Sequence, residues 1–67
     1  MKTNNLPQIG ERIVVYGMTQ YDTRVEKITY VPQEARHHIA LDWGQYGKSR
    51  VYDTDEGKTW YRLGSIN

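Results

Sequence analysis

Two glycine-bearing turns, Gly44-Gln45-Tyr46-Gly47 and Asp53-Thr54-Asp55-Glu56-Gly57, cut the C-terminal half of this chain into three short runs of β-forming residues. In the run 37–43, Ile39, Leu41 and Trp43 share one face, and His38, Ala40 and Asp42 share the other. A period of two is the mark of a half-buried strand. Runs 48–53 and 58–62 follow, the first with Val51 inward and Arg50 and Tyr52 at the rim. The stretch 39–61 therefore reads as a three-stranded antiparallel meander closed by a last hairpin. Both tryptophans, Trp43 and Trp60, lie on it.

The N-terminal half supplies two more strands. Residues 1–8 are polar and aperiodic and read as a flexible arm whose Leu6 docks on the domain. Residues 9–16 form the first strand, with Ile13 and Val15 facing one way and Val14 and Tyr16 the other. Four β-formers in a row predict a strand covered on both sides for part of its length. Residues 21–31 form the second. Tyr21, Thr23 and Val25 share a face, but Ile28 and Tyr30 fall on the opposite parity. A bulge near Glu26-Lys27 returns Ile28 to the core and curls the sheet. A helix over this stretch is the competing reading, and its β-branched content disfavours it. Pro32–Arg36 is a polar connection with one helical turn, and Leu63–Ile66 a tight turn that drops Leu63 or Ile66 onto the open end. Five short strands in 67 residues predict an all-β fold, a five-stranded small barrel over residues 9–67.

A domain this short buries only about 60% of the surface its unfolded chain exposes. With no cysteine, disulfides and thiolate metal sites are excluded. Only apolar packing and sheet hydrogen bonds are left to hold it. Hydrophobic residues make up 37% and none is Phe, so the core is expected to be a thin layer of Ile, Val and Leu rimmed by aromatics. Nine basic against eight acidic residues leave a net charge of +1, no footprint for tight nonspecific nucleic-acid binding. No apolar run approaches the roughly 18 residues of a membrane span. A cytoplasmic location without membrane contact is the expectation.

The pattern resembles the SH3-like barrels, and among them the Tudor-type module. The residues that carry the likeness are Gly10 to Tyr16, then Tyr21-Asp22-Thr23-Arg24-Val25-Glu26-Lys27-Ile28, then Leu41-Asp42-Trp43-Gly44, then Leu63 to Ile66. Together they span roughly residues 9 to 66. In size and style the chain is also similar to small accessory proteins of bacteriophages. The Tudor likeness implies an aromatic cage for methylated lysine or arginine, whose ring faces attract a desolvated cation. By position, its members are Tyr16, Tyr21, Trp43 and Tyr46. Lys48 departs from the family pattern, since an ammonium beside the cage repels a cationic ligand. Packing of these rings on the barrel core is the competing reading.

Other constellations give less. Asp53-Thr54-Asp55-Glu56-Gly57 lacks the remaining oxygen ligands of a calcium loop and reads as a turn. His37 and His38 are strand neighbours pointing to opposite faces, one expected at the surface and one half-buried, and do not converge on a metal. No nucleophile–base set or phosphate-binding glycine loop is present, and a small barrel offers no deep pocket. The expectation is a non-enzyme without cofactor, metal or small-molecule substrate. It acts through an aromatic patch around Tyr21, Trp43, Tyr46 and Trp60 on a protein partner. The alternative is a nucleic-acid-binding module using Lys48, Arg50, Tyr52, Lys58, Trp60 and Arg62 of the last hairpin, charge tracking a backbone while rings stack bases. Pairing of an edge strand with another chain is a third reading.

Overall fold

The computed structural model describes residues 6–63. The strands are β1 (Arg12–Val15), β2 (Thr23–Val31), β3 (Arg36–Asp42), β4 (Lys48–Tyr52) and β5 (Trp60–Arg62), with single 3-10 turns at Gly44–Tyr46 and Asp53–Asp55. They form one antiparallel sheet in the order β4-β3-β2-β1-β5. None of the described helices is long and apolar enough to cross a membrane.

β2 is the spine of the sheet. Val25 pairs with Leu41, but the next pair is Lys27 with Ala40, so Glu26 is the extra residue of a bulge. The bulge reconciles the two parities. Thr23 and Val25 are buried before it, and Ile28 packs against the core after it. β1 is covered on both sides, as its four β-formers predict: Ile13 enters the core cluster while Val14, across from Tyr61, is buried on the other face. The connection 32–35 is a tight turn rather than a helical one. Glu34 and Ala35 donate their N–H groups to Val31 O and Pro32 O.

Ile13, Val25, Ile39, Leu41, Val51 and Trp60 make the core, with Val15, Ile28 and Trp43 packed against it. Trp60 corrects the expectation of an aliphatic core with an aromatic rim. It has no exposed surface, sits inside, and leaves the surface patch. Its indole N–H donates to Tyr52 O at 2.8 Å, so the polar tip is satisfied without water.

The meander and the barrel are corrected too. After β4 the second 3-10 turn carries the chain across, and β5 pairs with β1 through Ile13–Arg62, Val14–Tyr61 and Val15–Trp60. There is no β4–β5 hairpin. Among the described residues, β4 and β5 are the outermost strands of a sheet that does not close into a barrel. The reason is local. Lys58 and Thr59 donate to Asp55 O, and Gly57 N–H donates to Trp60 O. This tight segment leaves only three residues for β5 and presents the Trp60 side chain, not a backbone ladder, to β4.

Two charged contacts tie down the periphery. The Asp53 carboxylate accepts from the His37 backbone N–H at 3.0 Å and from its Nδ1 at 2.7 Å, holding the second 3-10 turn on β3. Burial pushes the Asp53 carboxyl up, but the His37 backbone and ring hydrogen bonds outweigh it and hold it below its ordinary value. Glu11 accepts from Arg62 Nε at 2.8 Å and Nη2 at 3.2 Å and from Gln8 N–H at 2.9 Å, joining β5 to the approach to β1. Here too burial raises the carboxyl and the Arg62 and Gln8 bonds lower it further. Of the expected arm, residues 1–5 lie outside the described residues, while Pro7 is buried and Leu6 half-buried. Leu63 is exposed, and the rest of the expected C-terminal turn lies outside the described residues.

Trp60→Ala is expected to cost about 3–5 kcal/mol. That is comparable with the whole stability of a chain this size, roughly 3–10 kcal/mol at about 0.05–0.15 kcal/mol per residue. Circular dichroism should show a largely unfolded variant at room temperature. Because the folded Asp53 carboxyl is lowered, its contribution is present at neutral pH and is lost as pH falls through about 4 and below. Asp53→Asn should therefore narrow the stability gap to the parent as acid is added, read as melting temperature against pH.

Candidate binding site

Local backbone chemistry builds one pocket beside the mouth of the β3–β4 hairpin. Asp42 Oδ1 accepts from Gly44 N–H at 2.8 Å and starts the 3-10 turn, and Trp43 N–H donates to Gly47 O at 2.9 Å and closes it. Gly47 sits at φ 101°, ψ −151°, a conformation open essentially to glycine alone. Trp43 and Tyr46 therefore flank one tight loop. Tyr21 reaches them from the loop between β1 and β2, its ring 5.8 Å from Trp43 and 5.0 Å from Tyr46, both edge-to-face. Met18, Lys48 and Ser49 complete a cavity of about 300 Å³. Trp43 Nε1–H donates to Ser49 Oγ at 2.6 Å, which fixes the indole plane as one wall.

The electrostatics of this pocket differ from those of a cation cage. Lys48 is the one charged side chain among those lining it, and no carboxylate joins them. Lys48 Nζ is drawn to Glu26 Oε2 at 2.8 Å, and that bond raises the Lys48 pKa. The ammonium is thus neutralised from outside, by the bulge residue of β2. What the lining offers a visitor is ring faces, a thioether and the stem of a lysine, a mainly apolar surface with one wall of fixed orientation.

Three of the four cage candidates, Tyr21, Trp43 and Tyr46, come together as expected. Tyr16 does not line the cavity. It lies on the Val14 face of β1, 5.0 Å from the Tyr61 ring.

The residues of the alternative nucleic-acid site are dispersed. Lys48, Arg50 and Tyr52 alternate on β4, Trp60 is in the core, Arg62 is on the opposite edge strand against Glu11, and Lys58 is exposed in the turn before β5. The Tyr52 ring is covered by the Arg36 guanidinium at 3.6 Å, with His38 edge-on at 5.0 Å. Both histidines are half-buried, correcting the expectation of one at the surface. His38 Nε2 lies 2.7 Å from Glu34 Oε1, and its Nδ1 lies 3.3 Å from Arg50 Nη1. The His38 and Arg36 bonds hold the Glu34 carboxyl low. Among the described residues no His, Cys, Asp and Glu group is placed to hold a metal ion.

Met18 and Ser49 were not legible as pocket residues. A signal for Ser49 exists, since it lies two residues before Val51 and hence on its face, beside Trp43. Met18 is an apolar residue in a polar loop, and the turn in which Tyr21 N–H donates to Met18 O brings the two side by side. Comparison with protein-family models, curated proteins and solved structures finds no match for this chain.

Tyr46 is exposed, so Tyr46→Ala should open the pocket at a cost within roughly 1 kcal/mol. Gly47→Ala should cost about 1–3 kcal/mol by forcing a side chain into a glycine conformation. Urea unfolding of the two variants separates the roles.

Proposed function

We propose that this chain is a non-catalytic binding module that receives an apolar side chain of a protein partner in the pocket of Tyr21, Trp43 and Tyr46. The observation that carries the reading is the convergence of these rings, from two separate loops, on an open cavity that the core does not fill. The Trp60 ring is fully covered in the core, whereas Tyr46 keeps 64% of its surface exposed. Aromatic anchors in partly enclosed pockets supply most of the energy in protein interfaces. The strand order, with β1 between β2 and β5, is compatible with an SH3-like fold, which supports a module of this kind.

The nucleic-acid reading has less to support it. Its Trp60 is buried, its Tyr52 ring is covered by Arg36, and its Lys48 and Arg62 are in ion pairs. A single experiment separates the two. The chain and its Tyr46→Ala variant are immobilised, and what each retains from a host extract is compared between about 0.05 and 0.5 M salt. A protein held by the parent, lost on the variant and little affected by salt supports the proposal. Retained nucleic acid, released by salt and indifferent to Tyr46→Ala, overturns it.

A further inference from the structure

The pocket is continuous with an open strand edge, and the two together define the shape of what binds. Among the described residues β4 ends the sheet, with β3 on one side and no strand on the other. The alternation of the ladder says which of its groups are free. Trp43 N–H bonds to Gly47 O, so these residues form a hydrogen-bonded pair at the hairpin mouth. By the two-residue repeat of an antiparallel ladder, Ser49 and Val51 then bond to Leu41 and Ile39. Lys48, Arg50 and Tyr52 turn their backbone groups away from β3. An independent contact agrees, because Tyr52 O accepts the Trp60 indole N–H from that outer side. Trp60 thus covers the edge at Tyr52. From Lys48 to Arg50 the outward groups find no backbone partner among the described residues.

We infer that this edge takes an extended segment of a partner protein as a sixth strand, with an apolar side chain of that segment opposite Ser49 and inside the aromatic pocket. The inference rests on the pocket reading above and adds the backbone. In a strand paired through Lys48 and Arg50, the residue opposite Ser49 occupies a non-hydrogen-bonded position. There the two strands approach most closely, and its side chain projects on the Ser49 face. That face carries Trp43, the wall of the cavity. The residues on either side of it fall opposite Lys48 and Arg50 on the outer face; a carboxylate opposite Arg50 complements that cation, while Lys48 is already met by Glu26. The recognised segment therefore carries an apolar residue next to an acidic one, the acidic residue lying opposite Arg50. A second copy of this chain is a poor occupant, since β4 paired with its own copy about Ser49 sets Lys48 against Arg50.

The probe is the acetylated, amidated peptide Ser-Thr-Glu-Leu-Glu-Thr-Ser, titrated into the full chain and followed by amide NMR. The expected result is binding with slowed amide exchange at Lys48 and Arg50 and shifted Trp43 and Tyr46 signals. Methylating the backbone nitrogens of the two glutamates removes the donors that face β4 and should weaken binding roughly tenfold or more. Replacing both glutamates by lysine should weaken it several-fold, and replacing leucine by trimethyllysine should not strengthen it. Equal affinity for the N-methylated peptide overturns strand addition and leaves the pocket reading standing. Binding of the parent peptide that is unmoved by Tyr46→Ala overturns the pocket reading as well. Tighter binding of the trimethyllysine peptide, protection at Lys48 and Arg50 by self-association without peptide, or no binding of any peptide at millimolar concentration each overturns the inference.

Discussion

The indole of Trp60 is the contact on which the rest of the structure depends. Among the described residues, β4 and β5 each pair on one side only, and nothing in the ladder holds these two strands near one another. Trp60 does so from β5, filling the interior with its rings and reaching the last carbonyl of β4 with its N–H. A buried indole without an acceptor carries an unsatisfied donor, and a carbonyl at a covered edge carries an unsatisfied acceptor. One bond at 2.8 Å removes both defects. In a chain without disulfides, this single large side chain does the work of strand pairing.

The charges follow a similar economy. Lys48 meets Glu26, Arg62 meets Glu11, Arg36 meets Glu34, and Arg12 and Arg24 share Asp22. Several of these pairs are exposed and contribute little stability each. Their effect is to cancel charge locally.

The parts of the fold written in short-range pattern were legible. Alternation from Ile39 to Leu41 marked β3, and the broken parity between Val25 and Ile28 marked the bulge. The parts written in long-range pairing were not. Nothing local in Trp60-Tyr61-Arg62 distinguishes a return along β4 from a crossing to β1, because both demand the same alternation. The local pattern alone therefore places Trp60 at the surface and closes the sheet into a barrel. At the site, Trp43 and Tyr46 were readable because one turn joins them, and Tyr21 because the family likeness aligned it. Tyr16 failed since one residue of parity sends a side chain to the opposite face of a strand. The partner of Lys48 was unreadable for the opposite reason: a bulge residue has no fixed side, so Glu26 has no predictable neighbour.

The two indoles end up in contrasting surroundings. Trp60 is sealed from solvent with its N–H on a carbonyl, whereas Trp43 is half-exposed with its N–H on a serine hydroxyl. One is a fluorophore in an apolar medium, and the other a fluorophore at a wet boundary. A soluble quencher reaches the second and not the first. The molecule thus carries two separate optical signals, one for its interior and one for its rim.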